Sequence, residues 1–340
     1  MAEPEALLDQ LQRLHLQLPK LTFDPGRDTP GSLLPGADIY LDHYGLESLT
    51  TNSGAKLSGS KLTGTKQAGT QHFLGSTQSC GYTIACQYWL PAAPTGTVFV
   101  VHGYFDHVGL YGHLFQYLLN KNLAVVAFDL PGHGLSDGEQ VSIASFDHYV
   151  EVFDSILDFA TSHMPQPWHS VGQSTGGAIV LKHLLEEASD KHMFHNIALL
   201  APLLHPYKWQ SNRLVYLLAH RFLTRITRNF SKNSGNQHFV DFLAQHDPLQ
   251  AQHIPLEWIG AMKRWTEEFH DLPCNDYPLH IIQGDCDVTL DWHYNLKRFR
   301  DKLPKANIHM VTGAQHHLVN ETEVLRIQAF DAMGFDNPDQ

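Results

Sequence analysis

The chain has 340 residues, of which 43% are hydrophobic and 17% charged, and its formal net charge is −12. This composition is typical of a globular protein and excludes a disordered chain, and the length suits one large α/β domain or two modest ones. The negative net charge argues against general binding to nucleic acid.

The N-terminus and the cysteines bear on the cellular compartment. Met1–Glu5 is acidic and lacks an apolar segment, so no secretory signal is visible. The sequence contains no run of about 18 apolar residues, the length that a membrane-spanning helix needs. Four cysteines fit reduced, mostly buried thiols, with a Cys80–Cys86 bridge as the less favoured alternative: Cys80, Cys86, Cys274 and Cys286. We therefore expect a cytoplasmic protein.

The chain contains 24 histidines, which raises the question of a metal site. No H-E-x-x-H motif occurs, and no set of cysteine and histidine residues has zinc-site spacing. Scattered surface and core histidines are the simpler interpretation, and we predict no metal.

Residues 1–70 form an N-terminal extension in this interpretation. A helical stripe ends at Pro19, and we favour packing on the main domain over pairing with a partner chain; its members are Leu7, Leu8, Leu11, Leu14 and Leu18. Residues 51–70 are rich in Gly, Ser, Thr and Lys and contain two related pentapeptides, Leu57–Lys61 and Leu62–Lys66. Such composition predicts a flexible loop or linker.

From about residue 71, short apolar runs alternate with helical segments. Tyr82–Leu90 predicts a strand that is antiparallel to the one before it. Six further runs predict buried strands: Thr97–Val101, Ala124–Phe128, Trp168–Val171, Asn196–Leu200, Leu279–Ile282 and Asn307–Val311. An amphipathic helix lies between two of them, with apolar residues at Phe146, Val150, Phe153, Leu157 and Ala160. This alternation predicts a doubly wound, mostly parallel α/β sheet.

The segment Gly172–Gly176 has the G-x-S-x-G spacing of a nucleophile elbow, with Ser174 at its centre. A short strand precedes it and a helical segment follows, which is the context that the motif requires. Because the turn brings backbone segments close together, small neighbours are needed beside the serine. We predict that Ser174 is a nucleophile rather than an ordinary hydroxyl in a glycine-rich loop.

A serine nucleophile needs a general base and an acid that orients the base. On this fold the chain order is serine, acid, histidine. Asp285 and Asp287 follow one strand, and we favour Asp287 because Asp285 is better placed to shape the turn. His316 and His317 follow the last strand, and we favour His316 as the base.

The oxyanion of an acyl transfer needs two backbone N–H donors. The residue after the nucleophile, Thr175, supplies one. The loop that follows the strand Thr97–Val101 begins at His102, and Gly103 permits close approach of its backbone, so we assign the second donor to the Tyr104 amide. His102 and Gly103 are also candidate substrate contacts.

Together these stretches resemble a serine α/β-hydrolase of the lysophospholipase and monoacylglycerol lipase branch, which is grouped with serine aminopeptidase-like hydrolases. The resemblance covers residues 71–333 and rests on five motifs in order: His102–His107 with Tyr111-x-His113, Phe128–Gly138, Gly172–Gly177, Gly284-x-x-Asp287 and Gly313–His316. It implies an α/β-hydrolase fold, the same triad of Ser174, Asp287 and His316, architectural roles for Asp129 and His133, and no metal or organic cofactor.

The resemblance and the alternation of elements divide the chain. We predict a hydrolase core over 71–202 and 276–333, and a C-terminal tail over 334–340. Residues 203–275 contain helix-like segments but no convincing strand, and are too long for a plain loop. They predict a helical cap, or lid, over the carboxyl edge of the sheet, where ligands bind in such folds.

The predicted cap is basic, because residues 204–240 contain six basic and no acidic side chains. An apolar stripe there predicts a basic amphipathic helix: Val215, Leu218, Ala219, Phe222 and Ile226. The helix could contact an anionic membrane, or it could be a lid with its arginines in solvent, which we slightly favour. A second stripe could line an acyl groove or form cap core, and core is favoured: Trp258, Met262, Trp265 and Phe269.

Three functions remain open. The first is an esterase that acts on a single-chain acyl ester, a monoacylglycerol or lysophospholipid, through an acyl-enzyme. The second is a peptidase or an acyltransferase on the same fold; the peptidase needs cap carboxylates to hold the substrate ammonium, and the candidates are Asp241, Asp247, Glu257, Glu267 and Glu268. The third is a non-catalytic binding protein. We favour the esterase, and the oligomeric state is left undetermined.

Overall fold

The structure is a computed structural model that describes residues 4–50, 69–186 and 193–335, apart from 211–212, 214–215, 217–219 and 230–231. Most of the predicted flexible segment 51–70, and most of the predicted tail 334–340, lie outside the described residues. So do Val215, Leu218 and Ala219 of the predicted cap helix.

Eight strands form one sheet, in the order β1-β2-β4-β3-β5-β6-β9-β10. They are β1 Gln71–Ser79, β2 Tyr82–Leu90, β3 Thr97–Val101, β4 Ala124–Phe128, β5 Trp168–Gln173, β6 Phe194–Leu200, β9 His280–Gly284 and β10 Asn307–Val311. β2 is antiparallel to β1 and to β4, and the remaining pairs are parallel. The prediction of a doubly wound, mostly parallel sheet is confirmed, and the order is that of an α/β-hydrolase fold.

Helices cover both faces of this sheet, and others lie within the predicted cap over 203–275. They are α1 Pro4–Gln17, α2 Ala37–His43, α3 Gly112–Asn120, α4 Phe146–Thr161, α5 Thr175–Glu186, α6 Gln237–Gln245, α7 Leu256–Asp271, α8 Trp292–Lys302 and α9 Glu323–Asp331. In β3, Phe99 and Val101 belong to one buried apolar cluster, and Val98 and Val100 to the other. Because strand side chains alternate between faces, the two clusters lie on opposite sides of the sheet.

The N-terminal segment packs on the hydrolase core, as predicted. Leu7, Leu11 and Leu14 of α1 are all buried. Beyond α1, the Leu21 N–H donates to the Ser76 carbonyl at 2.8 Å. This contact covers part of β1, which is an edge strand of the sheet and would otherwise leave its hydrogen-bonding groups unpaired.

Two predictions about the cap and the cysteines are wrong. Arg225–Thr227 is a short strand (β7) that pairs antiparallel with His253–Pro255 (β8), so the predicted helix does not continue to Ile226. The two strands have three residues each, and Arg225–Thr227 is exposed. Neither strand therefore has the long apolar run that predicts a strand from sequence. The four cysteines are free, but only Cys86 is buried. Within the described residues, no helix is both long and apolar enough to cross a membrane.

Candidate active site

The loop between β5 and α5 holds Ser174 in a strained turn. Ser174 has φ of 53°, a conformation that costs a non-glycine residue about 1–3 kcal/mol. A Cβ atom at Gly172 would lie 2.5 Å from the Gly176 carbonyl oxygen, and one at Gly176 would lie 2.0 Å from the Val101 carbonyl oxygen. Both flanking glycines are therefore required by close backbone approach, which is the geometry of a nucleophile elbow.

The three residues predicted as the triad lie together at the carboxyl edge of the sheet. The Ser174 hydroxyl is 2.9 Å from His316 Nε2, and His316 Nδ1 is 2.8 Å from Asp287 Oδ2. Asp287 Oδ1 also accepts the N–H groups of Thr289 at 2.7 Å and Leu290 at 3.0 Å. The carboxylate is thus fixed by its own loop and orients the imidazole toward the hydroxyl.

The electrostatics of this pair suit a general base. Burial acts to lower the pKa of His316, but the charge of Asp287 and the hydrogen bond to it outweigh burial and raise that pKa above its ordinary value. Burial acts to raise the pKa of Asp287, and the same interaction with His316 lowers it overall. Asp287 therefore stays ionised and stabilises a protonated His316.

The alternatives for base and acid have other partners. His317 Nε2 donates to Asp106 Oδ1 at 3.1 Å, and the Tyr111 hydroxyl donates to Asp106 Oδ2 at 2.9 Å. Asp285 accepts the Gly313 N–H at 2.7 Å and so ties together the two loops after β9 and β10. Neither His317 nor Asp285 is hydrogen-bonded to Ser174.

The two predicted oxyanion donors flank the serine. Thr175 is the first residue of α5, and the loop of Tyr104 passes close to the elbow, because a Cβ at Gly103 would lie 3.4 Å from Ser174 Cβ. Within the described part of the chain, neither the Tyr104 nor the Thr175 amide donates to a protein acceptor. The start of a helix also favours negative charge. Both amides can therefore serve a developing oxyanion.

His102 and Gly103, the other predicted contacts in this loop, have structural roles. His102 is buried; its Nδ1 donates to the Gly103 carbonyl at 2.7 Å, and its Nε2 accepts the Leu130 N–H at 2.9 Å. Burial lowers the pKa of His102 to about 3, so the ring is neutral. The Gly103 N–H donates to the Tyr111 hydroxyl at 2.9 Å. Neither residue lines the cavity above Ser174.

A cavity of about 410 Å³ lies between the elbow and the cap. One side, here called the sheet wall, consists of Tyr104, Ser174, Thr175, His316 and His317. The opposite side, here called the cap wall, is formed by α7 residues Leu256, Trp258, Ile259 and Met262. Most of the exposed surface of the cavity is apolar, with polar side chains from both the elbow and the cap region, among them Arg228, Asn229 and Asn233. A mainly apolar cavity with some polar groups is the usual form of a site for a small organic ligand.

The predicted stripe on α7 divides between cavity and core. Trp258 stacks on the Tyr104 ring at 3.7 Å between centroids and, with Met262, lines the cavity. Trp265 does not line it: this side chain is fully buried, stacks on Phe146 and donates to the Leu203 carbonyl at 3.1 Å. Trp265 therefore has the favoured core placement, and the alternative of a substrate contact is wrong at this residue, because one helical turn beyond Met262 the stripe passes into the interior.

Arg228 and Asp247 have roles in the structure that the sequence did not predict. The predicted cap helix placed Arg228 among the basic residues that face solvent, but Arg228 lines the cavity. Its guanidinium lies 3.7 Å from the centre of the Phe105 ring and donates a hydrogen bond to Gln250. Burial lowers the pKa of Arg228 to about 10, so it remains charged near neutral pH. Asp247 is buried and bonds His107 Nε2 at 3.1 Å. His107 belongs to the motif His102–His107, which is the one feature of the sequence that points to this pair.

Comparison with known proteins agrees with this geometry. A family profile described as serine aminopeptidase, S33, matches residues 92–323. Human monoglyceride lipase is 32% identical over 225 residues, which cover 62% of this chain and 72% of that protein. A monoglyceride lipase homolog of monkeypox virus is 26% identical over 253 residues, which cover 72% of this chain and 90% of that protein.

A solved structure shares the fold. A soluble variant of monoglyceride lipase from Saccharomyces cerevisiae, in complex with a substrate analog, has a TM-score of 0.67 and 18% identity, and the match covers 79% of this chain and 96% of that one. The chain belongs to the serine aminopeptidase (S33) family of α/β-hydrolases, in its monoacylglycerol lipase-like branch, and is a carboxylic ester hydrolase.

Proposed function

We propose that the protein hydrolyses the ester of a single-chain acyl lipid, a monoacylglycerol or a lysophospholipid, through an acyl intermediate on Ser174. The observation that carries this proposal is the continuous Ser174–His316–Asp287 chain, with contacts of 2.9 and 2.8 Å, at the floor of an apolar cavity. The triad supports covalent catalysis, and the apolar cavity supports an acyl chain as the group that is bound.

In the first step, the Ser174 oxygen attacks the ester carbonyl carbon while His316 Nε2 takes the hydroxyl proton. Asp287 stabilises the imidazolium that forms. The carbonyl oxygen gains negative charge and receives hydrogen bonds from the Tyr104 and Thr175 amides. When the tetrahedral intermediate collapses, the carbon–oxygen bond to the alcohol breaks, His316 gives its proton to the leaving alcohol, and the acyl group stays on Ser174.

In the second step, water replaces the alcohol. His316 takes a proton from the water as it attacks the acyl carbon, the same two amides hold the oxyanion, and the Ser174–acyl bond breaks. The serine recovers its proton, and the fatty acid leaves. The cap wall bounds the cavity opposite the reacting carbon, so apolar contacts there hold the acyl chain.

An aminopeptidase is the less favoured alternative, because an amino group needs a free carboxylate. Among the described residues that line the cavity, the carboxylate is Asp106, and both its oxygens are bonded, to His317 and Tyr111. The five cap carboxylates considered above do not line the cavity. Asp247 bonds His107, and Glu257 accepts the Ser142 hydroxyl at 2.7 Å.

The location we propose is the cytoplasm, with peripheral contact to anionic membranes through the cap. The four free cysteines support a reducing compartment. On the cap, Phe222 is 86% and Leu223 51% exposed, and the exposed Arg221 and Arg225 flank them. Each basic residue near an anionic surface contributes about 1 kcal/mol to binding. Apolar side chains beside positive charge suit a lipid surface next to the cavity.

A substrate panel tests the catalytic proposal. Monoacylglycerol, lysophosphatidylcholine, p-nitrophenyl esters of increasing chain length and an aminoacyl p-nitroanilide are offered to the wild-type protein and to Ser174→Ala. We expect hydrolysis of the first two lipids and of the longer esters, all lost in Ser174→Ala. Cleavage of the anilide in preference to every ester would contradict the proposal and favour the peptidase.

Vesicle sedimentation tests the membrane proposal. The double variant Arg221→Gln/Arg225→Gln should bind anionic vesicles less than the wild type, and added salt should weaken binding of both. Lys297→Gln/Arg300→Gln, an equal charge loss at exposed positions on α8, is the matched control and should bind like the wild type. Equal binding of wild type to neutral vesicles would remove the electrostatic part of the proposal.

A further inference from the structure

The loop that carries the predicted Tyr104 oxyanion donor has a strained conformation. Phe105, the residue after Tyr104, has φ of 67°. A bulky residue keeps such a conformation only when its surroundings hold it there. Contacts beyond those of Asp106 hold the backbone between His102 and His107 in this conformation.

Two contacts to this loop converge on Asp247. His107 Nε2 is 3.1 Å from Asp247 Oδ2. The Gln250 amide donates to the Phe105 carbonyl at 3.0 Å and to Asp247 Oδ2 at 2.8 Å. One bond thus fixes a side chain at the end of the loop and the other fixes the backbone directly after Tyr104. Asp247, His107 and Gln250 are all buried, where such bonds are strong.

Asp247 is itself held by the N-terminal segment. The Tyr44 hydroxyl donates to Asp247 Oδ1 at 2.9 Å, and this is a contact between residues 203 positions apart. The Tyr44 ring meets the His107 ring edge to face at 4.7 Å between centroids. A Cβ atom at Gly109 would lie 2.8 Å from Tyr44 Cγ, so no space remains between this ring and the loop.

The charges in the cluster reinforce the bonds. Burial acts to lower the pKa of His107, but Asp247 outweighs it and raises that pKa. Burial acts to raise the pKa of Asp247, and His107 lowers it. The two groups therefore favour an ion pair in the interior. The carboxylate oxygen that His107 does not reach accepts from the Tyr44 hydroxyl at 2.9 Å and from the Leu249 N–H at 3.1 Å, so Tyr44 supplies its only side-chain donor among the described residues.

We infer that Tyr44, which lies before the matched family region 92–323, is a positioning residue: through Asp247 it fixes the loop of the Tyr104 amide. This inference rests on the proposed function, because it assigns a purpose to the oxyanion donor. The geometry of the donor, rather than the binding of substrate, is what Tyr44 controls.

Tyr44→Phe tests the inference, with Tyr40→Phe as a matched control. Tyr40 is also a buried tyrosine of the same segment, and its hydroxyl accepts a hydrogen bond from Gln87 at 2.9 Å. Each variant removes one buried hydroxyl and the hydrogen bond that it makes to a buried side chain, so we expect similar losses of thermal stability. Only Tyr44→Phe should lower kcat, by about tenfold with KM unchanged, because a displaced oxyanion donor weakens the transition state alone.

A second readout separates positioning from general loosening. An alkyl boronic acid forms a tetrahedral adduct with a catalytic serine, whereas a fatty acid binds as product. In Tyr44→Phe the boronic acid should bind about tenfold more weakly, matching the loss of kcat, and the fatty acid equally well. Asp247→Asn, which removes the charge but keeps the shape, should show the same pattern if it folds.

The outcomes are distinguishable from those of the proposed function. If wild type hydrolyses esters, Ser174→Ala does not, and Tyr44→Phe keeps the kcat of Tyr40→Phe, the inference is overturned and the proposed function stands. A fall in kcat without weaker boronic acid binding also overturns it. If ester hydrolysis survives Ser174→Ala, the proposed function is wrong, and the inference about Tyr44, which rests on it, is wrong as well.

Discussion

The two walls of the cavity are held in place by different interactions: hydrogen bonds on the sheet wall and apolar packing on the cap wall. On the sheet wall, Ser174 directly follows the strand β5, and His316 lies in the loop after β10, an edge strand that is mostly not buried, contrary to the prediction. Hydrogen bonds of 2.9 Å or less join Ser174, His316 and Asp287 in series. On the cap wall, Trp258 and Met262 contribute apolar surface from one helix. Directional bonds fix positions to fractions of an ångström, whereas apolar packing tolerates changes of shape. The chemistry should therefore depend on the sheet wall and the selectivity on the cap wall.

The largest loss of kcat is expected on the sheet wall, at His316. His316→Ala removes the base and should lower kcat by about 10⁶, as loss of a triad histidine does elsewhere, with folding intact. His317→Ala is the matched control at the next position. It removes the hydrogen bond to Asp106 and the ring contact with Phe239 but leaves the triad intact, so we expect a loss of about tenfold, the scale of one buried hydrogen bond.

Steady-state kinetics on one p-nitrophenyl ester, with thermal unfolding of both variants, checks this prediction. A larger loss in His317→Ala than in His316→Ala would exchange the assigned roles of the two residues.

The next effect is that of the acid. Asp287→Asn keeps the shape of the side chain but removes the charge that orients and stabilises the His316 imidazolium. We expect kcat to fall by about 10⁴, the size seen for the same change in another serine hydrolase triad. Asp285→Asn is the control and should lose little activity, because Asp285 bonds a backbone amide in the neighbouring loop. Equal losses in the two variants would contradict the assignment of Asp287.

The pH dependence follows from the same pair. His316 must be neutral to accept the serine proton, and its pKa is raised above the ordinary 6.5. Activity should therefore fall as the pH drops through a midpoint above 6.5. In Asp287→Asn the main influences that raise the pKa of His316 are gone, while burial and the weaker effect of the Asp106 charge remain, so the midpoint should shift to lower pH. The dependence of kcat/KM on pH measures both midpoints, and an unchanged midpoint in the variant would show that Asp287 does not set it.

The smallest effect is expected on the cap wall. Met262→Trp fills part of the cavity without touching the triad, so long acyl chains should lose kcat/KM by about tenfold or more per excluded group. The short acetate ester should be hydrolysed within about threefold of the wild-type rate, because the bonds of the sheet wall are unchanged. A series of p-nitrophenyl esters gives the chain-length profile. Equal losses of kcat/KM for short and long esters would contradict the claim that the cap wall sets selectivity and the sheet wall the chemistry.

The sheet wall was predictable from the sequence because its information is local. Ser174 directly follows β5, whereas Asp287 and His316 lie in the short loops after β9 and β10, and the strands β3, β4 and β10 have the predicted bounds. Parallel strands bring their carboxyl ends to one edge, so short segments were enough to predict that these residues meet.

The cap wall and the N-terminal segment were less predictable because their contacts join distant parts of the chain. Arg228 has the local pattern of a solvent-facing residue, yet it packs on Phe105 and lines the cavity. No local pattern in the sequence indicates that Tyr44 and Asp247 are partners, and only the folded chain brings the Tyr44 hydroxyl within 2.9 Å of the Asp247 carboxylate. Strand β7 has three residues, too few for a periodic pattern.

The central claim is that Ser174 forms the covalent intermediate. It is tested most directly by reacting the folded protein with a fluorophosphonate and locating the adduct by peptide mass spectrometry. We predict a single adduct on the peptide that contains Ser174, no adduct in Ser174→Ala, and loss of ester hydrolysis in proportion to labelling. Modification of a different residue with activity lost in the same proportion would contradict the account.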